Sequence, residues 1–314
     1  MTGTLRAAPL ACSPEDRGAA TAATAADRLV ADVTARTGRA PGAVWSVPAV
    51  LPLLGGAEPG RTAAVFTTVD RRALVAVGRW PAGGTDLLAE DDGAPVPPLL
   101  RPSAERVARG LAAQQPGAGP ATGGPARGVV AAELEAALAG PGTAVAVRAD
   151  GAVCVPVPPG VGAGGWSLLL LDSGQRDPAP AAGRSRLHAA GGRHARLARW
   201  SAAEEARVTA AVAALRAGDL DAVGQLMTAS HVGAREDLRL SSAQVEATVA
   251  AALGAGAAGA RLVEAAFWGP VLALVPAARV EDVAAAVRES AARLGFPCPW
   301  ATRLGPGVRA RRVR

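Results

Sequence analysis

Residues 218–276 read GDLDAVGQLMTASHVGAREDLRLSSAQVEATVAAALGAGAAGARLVEAAFWGPVLALVP and contain the clearest succession of elements in the chain. Apolar residues at helical spacing predict a helix over 220–230 and a second over 242–253. A glycine-rich stretch then leads into two short apolar runs, 260–263 and 271–275, which predict strands. This region therefore mixes helices with strands and does not repeat one regular unit.

The neighbouring sequence predicts two further helices, over 201–215 and 280–294. In the first of these, Ser201 is the predicted N-cap, Glu204 completes a capping box, and Gly218 lies beyond the end. With the strands 260–263 and 271–275, these helices give the second half an α+β character.

The first half is richer in strands. A helix is predicted over 22–37, with Gly38 as its stop, and Pro48 to Gly60 is predicted as a loop. Short β-branched or apolar runs predict strands at 43–47, 62–69, 73–78, 144–148, 152–157 and 167–172. Two weaker helices are predicted at 103–114, with Ser103 as N-cap, and at 129–138, ended by Gly140.

Composition excludes several classes of protein. All 33 basic residues are Arg, against 27 acids, and this Arg bias is typical of a GC-rich genome, so the net charge of +6 is weak evidence for nucleic acid. Cys12, Cys154 and Cys298 are few and far apart, which excludes a disulfide framework or a zinc site. The N-terminus has no signal-peptide core and no apolar run spans a bilayer, so we expect a cytoplasmic protein without membrane contact.

One set of residues in the opening stretch has the order seen in a known family. They are Ala217-Gly218-Asp219-Leu220, Gly224, Leu226-Met227, Ser230-His231, Arg235, Asp237, Ser241 and Gly259-Ala260-Arg261. Upstream, the similar positions are Val44-Trp45-Ser46, Asp70-Arg71-Arg72, Leu168 to Asp172, Arg199, Glu204 and Ala206-Arg207-Val208. In this order they resemble a galactokinase, of the GHMP small-molecule kinase superfamily, over roughly residues 25–80 and 140–275.

The resemblance implies an α+β fold with the two-lobed GHMP-kinase architecture and a shortened N-terminal lobe. We expect a flexible tail at 1–20, an N-terminal lobe at 21–175 with a linker-like part at 80–127, and a C-terminal lobe at 176–314. The boundary between the lobes is predicted near Ser173 to Gly192.

Galactokinases transfer the γ-phosphate of ATP to the anomeric hydroxyl of galactose, and the first of their three motifs is a sugar-binding loop. The similar segment here is Ala49 to Pro59, where Val50 stands at the family's Arg, and Gly56 and Ala57 stand at its Glu and His. Glu58 is the one charged residue left. Because apolar side chains cannot hydrogen-bond a sugar, we expect this segment to be a plain loop between strands.

The phosphate loop and the catalytic carboxylate are the other two motifs. The nearest phosphate loop is Pro116 to Pro125, with the single hydroxyl of Thr122, and its prolines lack N–H donors. Ala131 or Ala132 falls where the resemblance implies the catalytic Asp. Glu133 lies one helical step away, which turns its side chain by about 100°, and it is predicted to face solvent.

One more motif of the family, a glycine-rich turn, is also altered. Glu264, Ala265, Ala266 and Trp268 occupy positions that the family gives to glycine, and their bulk and charge would keep phosphates away.

The histidines and their arginine neighbours have plainer interpretations. His231 is predicted to cap or pack. The arginines of 184–199, beside His188 and His194, are predicted to form a solvated face, although such a cluster could also bind phosphate.

The leading hypothesis is a galactokinase-like protein that has lost ATP-dependent phosphorylation of galactose and that either has a binding or regulatory role or is a decaying paralogue. No catalytic, cofactor-binding or metal-binding residue is assigned, and no cofactor is expected. One alternative is an active sugar 1-kinase that uses Mg-ATP with replaced site residues. Another is an Arg-rich nucleic-acid-binding protein on a kinase scaffold. A small-molecule sugar or nucleotide is the candidate ligand, nucleic acid is not expected, and the sequence names no protein partner.

Overall fold

The computed structural model describes residues 14–55, 63–78, 85–90, 101–113, 133, 136–139, 141–148, 151–157, 165–172, 193–263 and 269–314. In these ranges the strands, numbered along the chain, are β1 (Ala43–Gly55), β2 (Ala64–Val77), β3 (Thr85–Glu90), β4 (Thr143–Arg148), β5 (Gly151–Pro156), β6 (Trp166–Asp172), β7 (Gly259–Leu262), β8 (Val271–Pro276), β9 (Trp300–Leu304) and β10 (Arg311–Arg312). The helices are α1 (Pro14–Thr37), α2 (Arg101–Ala113), α3 (Arg193–Ala217), α4 (Leu220–Glu236), α5 (Ala243–Gly254) and α6 (Val280–Leu294).

The strands form two antiparallel sheets. The first has the order β10-β1-β2-β4-β5, with β3 also paired to β2, and the second has the order β7-β8-β6-β9. With helices packed against both sheets, this arrangement confirms the predicted α+β class.

Strand β1 is much longer than predicted, because it takes in residues 48–55 of the expected loop. The two prolines that suggested a loop, Pro48 and Pro52, lie at irregularities in the pairing with β2, where a strand tolerates proline. Val50 and Leu51 are both buried, so the strand is covered on both faces. Strand β2 likewise runs without a break through Asp70-Arg71-Arg72, which were predicted to separate two strands.

The helices lie where the apolar periodicity of the sequence predicted them, but several begin at other residues than predicted. Helix α1 begins at Pro14, inside the predicted tail, and α2 begins at Arg101, so Ser103 is not its N-cap. Helix α3 begins at Arg193, which places Ser201 within the helix and makes the predicted capping box wrong. Helix α6 matches its prediction at both ends.

The strands of the second sheet are continuous apolar runs because both faces of the sheet are buried. Leu168, Leu272 and Leu274 face the large core shared with the first sheet. The alternate residues, such as Leu169 and Ala273, face a second core formed with α5 and α6. Both faces of the sheet are therefore covered, as the run at 167–172 predicted.

The chain ends in the first sheet, which the sequence did not predict. After β9, Pro306 bridges Val69, and β10 pairs Trp45 and Ser46 of β1. The last residues assigned to the C-terminal lobe thus contribute a strand to the N-terminal sheet. Among the described helices, none is long and apolar enough to cross a membrane.

Candidate functional site

The end of β1 is held by two buried charged side chains from distant parts of the chain. The Gly55 N–H donates to Glu204 Oε1 of α3 at 2.7 Å, and Arg261 Nη2 of β7 donates to the Gly55 carbonyl at 3.1 Å. Glu204 and Arg261 are both 0% exposed. Gly55 lies within the segment that resembles the sugar loop, Ala49 to Pro59, and is its last described residue, so this clamp fixes the described part of that segment at the end of β1.

Gly55 has a conformation that requires glycine. Its φ is +68°, and a Cβ there would lie 2.0 Å from the carbonyl oxygen of Ala63, the residue just before the paired strand β2. The backbone can turn at this point only because no side chain is present.

Glu204 is the centre of a buried polar cluster. Besides the Gly55 N–H, it accepts the Ser230 hydroxyl of α4 at 2.6 Å and an ion pair from Arg207 Nη1 at 2.5 Å. A carboxylate without solvent needs such partners, because an unpaired buried charge is costly. Glu204 therefore joins α3, α4 and β1 and does not cap its own helix.

A second cluster, centred on His231, joins α4 to β7 and α5. His231 Nδ1 accepts the Leu262 N–H at 3.3 Å, which leaves Nε2 to donate to Glu246 Oε1 at 3.1 Å. Glu246 also accepts the hydroxyl of Ser241 and Arg235 Nη1 at 3.0 Å. His231 packs inside the fold, as predicted.

The protonation of this cluster follows from its surroundings. Burial lowers the pKa of His231 below its ordinary value, although the charge of Glu246 acts in the opposite direction. Burial tends to raise the pKa of Glu246, but the hydrogen bonds from Ser241 and Arg235 outweigh it, so that pKa is lowered. At neutral pH the pair is a neutral imidazole donating to a carboxylate.

Close backbone packing explains two glycines of the resemblance. A Cβ on Gly259 would lie 1.9 Å from the carbonyl oxygen of Gly224, and a Cβ on Gly224 would lie 2.5 Å from the backbone of Ala258. Helix α4 therefore contacts β7 backbone to backbone. The same helix begins at Asp219, whose side chain accepts the Ala222 N–H at 2.9 Å as an N-cap.

The positions that resemble ligand-binding motifs are less polar or are already engaged. Val50 is 3% exposed, and its strand pairs it with Thr68. Four of the other candidate segments lie outside the described residues: Gly56 to Pro59 with Glu58, Pro116 to Pro125 with Thr122, Ala131-Ala132, and Glu264 to Trp268.

The prediction for Glu133 was wrong. It was expected to face solvent, but it is 3% exposed and binds Arg106 of α2 through both oxygens, at 2.6 Å to Nε and 2.5 Å to Nη2. Its side chain therefore lies against α2.

The arginine cluster at 184–199 is only partly described. Arg199 forms an exposed ion pair with Asp237 at 3.1 Å, which ties the start of α3 to the end of α4. Arg184 and Arg186, with His188, lie outside the described residues. The described part of the cluster is thus a surface contact between two helices.

Two cavities lined by described residues lie away from Gly55. One of about 20 Å³ is internal and apolar, next to Leu53 and Met227. The other, of about 420 Å³, is an alanine-lined groove between α5 and α6. In the described ranges no three His, Cys, Asp or Glu side chains come together.

Solved structures define the class of this fold. A galactokinase from Lactococcus lactis, crystallised with galactose, is 14% identical with a TM-score of 0.57, covering 91% of this chain and 99% of that one. An L. major mevalonate kinase in complex with R-mevalonate is 16% identical with a TM-score of 0.54, covering 83% and 95%. At such identities the likeness shows the fold alone, and that fold is the one shared by the GHMP small-molecule kinases.

Curated sequences narrow the resemblance. The galactokinase of Mycobacterium tuberculosis (strain H37Rv) is 42% identical over 116 residues, 36% of this chain and 32% of that protein. The galactokinase of Chloroflexus aurantiacus is 45% identical over 115 residues, which are 36% of this chain and 30% of that protein. No family model matches. The chain is galactokinase-like, as its motif residues predicted, and the match spans about a third of the length of these relatives.

Proposed function

We propose that this chain is a galactokinase-like protein that has lost ATP-dependent phosphorylation of galactose and keeps a binding or regulatory role. The observation that carries the proposal is that Glu133 is buried in an ion pair with Arg106. It is the carboxylate nearest to the position of the family's catalytic Asp, and both of its oxygens are bonded to Arg106. A general base must reach the hydroxyl that it deprotonates, and a buried carboxylate in a bidentate ion pair cannot do so without leaving Arg106.

The sugar-binding position supports the same proposal. Val50 stands where the resemblance implies an Arg, and its side chain is buried in the core of the first sheet. An isopropyl group offers no hydrogen bond to a sugar hydroxyl, and a site that leaves a hydroxyl unpaired rejects it. Galactose would therefore lose one charged contact at this position.

The scaffold around these positions is well connected, which supports a binding role over a decayed chain. Glu204 and Arg261 hold the end of β1, and His231 holds β7. A sugar or a nucleotide is the candidate ligand, because the structurally similar proteins include a galactokinase in complex with galactose and MDDEF in complex with MVAPP, AMPPCP and magnesium.

Calorimetry with galactose and with Mg-ATP, followed by a coupled ADP-release assay, tests the proposal. We expect no saturable turnover of galactose, whether or not either ligand binds. The contrary result is saturable phosphorylation that Glu58→Ala or Glu133→Ala abolishes, while Glu289→Ala, a change at an exposed helix position, leaves it intact. That result would establish an active sugar kinase with replaced site residues.

A further inference from the structure

The net charge of this protein is concentrated at one end of the chain. The whole sequence has 33 arginines and 27 acids, but residues 301–314 contain five arginines and no acid. The remaining 300 residues therefore hold 28 arginines against 27 acids and are almost neutral. A bias toward Arg over Lys explains the choice of residue but not this segregation.

The structure makes residues 303–314, here called the arginine segment, a fixed part of the surface. Its backbone donates three hydrogen bonds to the rest of the fold: Gly307 N–H to Thr68 of β2, Val313 N–H to Val44 of β1, and Ala310 N–H to Ala137, which lies outside the sheet. All five arginines of the segment, at positions 303, 309, 311, 312 and 314, are exposed. The charges are therefore held on an ordered backbone.

Most of these guanidinium groups form no ion pair with a carboxylate of the described residues. Arg312 donates to the carbonyls of Gly42 and Arg314, and Arg309 donates to that of Ala139, contacts that orient the side chains without an opposing charge. In the described ranges the ion pair within the segment is Arg314 with Asp27, and the other carboxylate close to it is Asp70, beside Gly305. Since each guanidinium has five N–H donors, several remain for a ligand.

We propose that the arginine segment binds the phosphate backbone of a nucleic acid. Guanidinium groups bind phosphate oxygens through paired donors, and a row of them on an extended chain suits a polymer that repeats its charge. This surface differs from the cluster at 184–199 considered from sequence, and it does not depend on the proposed loss of kinase activity.

An anionic membrane is less well matched to the same surface. Peripheral membrane-binding segments combine basic residues with Trp, Phe or Leu side chains that enter the interface. Within the arginine segment the exposed large apolar side chain is Val308, at 38% exposure, while Leu304 is buried. Trp300, at 70% exposure, lies on β9 three residues before the segment and not among its arginines. The segment itself therefore presents charge without apolar anchors, which suits a polyanion in water better.

Fluorescence anisotropy with a short labelled DNA duplex, between about 50 and about 200 mM NaCl, tests the proposal. The test variant is R309Q/R311Q/R312Q, which removes three charges and keeps amide donors. The matched control, R216Q/R288Q/R293Q, removes three charges from α3 and α6. We expect the slope of log K against log salt to fall in magnitude by about 2.7 in the test variant and to stay the same in the control, because each phosphate contact contributes about 0.9.

Three outcomes would overturn the proposal. The wild type could fail to bind the duplex at about 50 mM salt, both triple variants could weaken binding equally, or the segment could bind phosphatidylserine vesicles and no DNA. Circular dichroism melting checks that each variant folds. If the test variant does not fold, R311Q alone is used, since no hydrogen bond from its side chain to another described residue is present; it should lower the slope by about 0.9.

Discussion

Two regions of this protein resemble the same family to different degrees, and the difference separates scaffold from site. In the second half, Gly224, Ser230, His231, Gly259 and Arg261 each match the galactokinase order, and each has a structural contact in this fold. In the first half, the positions similar to ligand-binding motifs hold residues such as Val50. The matching residues of the second half are therefore ones that join elements of the fold.

The two regions meet at Gly55. Its N–H and carbonyl are bound by Glu204 and Arg261, both of which belong to the matching region. The matching region thus contacts the candidate sugar segment, Ala49 to Pro59, within its length. Substitutions in each region test the two roles separately.

The largest effect is expected from Glu204→Ala. The change leaves Arg207, Ser230 and the Gly55 N–H without their shared acceptor in a buried site, so we expect a loss of about 3–5 kcal/mol in the free energy of unfolding. Urea denaturation measures it. Glu289→Ala, at an exposed position, should stay within about 0.5 kcal/mol of the wild type, and an equally small effect for Glu204→Ala would remove it from the scaffold.

Gly259→Ala should have the next largest effect. Its Cβ would meet the carbonyl of Gly224, and backbone cannot move aside as a flexible side chain can, so α4 must shift from β7 at a cost of about 1–3 kcal/mol. Gly254→Ala is the matched control, because no atom lies within 4 Å of its Cβ position, and it should be neutral or stabilising by up to about 1 kcal/mol. Equal stabilities of the two variants in thermal denaturation would contradict the close packing.

The Arg106–Glu133 pair tests the other region. Arg106→Ala leaves a buried carboxylate unpaired, but the Arg106 side chain is 28% exposed, so water can partly replace it, and we expect a loss of about 1–3 kcal/mol. In a double-mutant cycle with Glu133→Ala, the two changes should be coupled by about 0.5–3 kcal/mol. Additive losses would mean that Glu133 is not held by Arg106 and is available for other chemistry.

The sequence predicted the elements better than their contacts. The helix at 280–294 and the strand at 167–172 carry their periods in adjacent residues, which is why they were recognised. The partner of Glu204 is 149 residues away at Gly55, and no local pattern distinguishes such a contact from a capping box. The extent of β1 was missed for the opposite reason, since Pro48 and Pro52 gave a strong local loop signal that pairing with β2 overrides.

At the candidate site, the sequence predicted only those changes whose effect does not depend on where the side chain points. Val50 in place of an Arg removes a charge wherever the side chain points. Glu133 required the structure, because its burial depends on the position of Arg106 across the interface with α2. Strands β9 and β10 were missed because they are short and separated by Gly305, Pro306 and Gly307, which read as a turn.

The smallest effect, and one set by pH, is expected at His231. Its pKa is lowered in the folded protein, so the unfolded chain binds a proton more readily and the free energy of unfolding falls as pH drops below about 6.5. The loss levels off once the pH is below the folded pKa. Glu246, whose pKa is also lowered, begins to contribute a further loss only below its own unfolded value near 4.5.

His231→Asn isolates this contribution, because an Asn oxygen can accept the Leu262 N–H in place of Nδ1 and does not titrate. Denaturation of both proteins between about pH 7 and about pH 5 should show a decline in the wild type that is smaller in the variant. The other two histidines, His188 and His194, are present in both and cancel in the difference. Parallel pH profiles would mean that His231 accepts a proton as readily in the fold as in the unfolded chain. The Leu262 N–H would then have a different acceptor, and the link between α4 and β7 would rest on the Gly224–Gly259 contact and on the Ala260 N–H, which donates to the Thr228 hydroxyl at 3.2 Å.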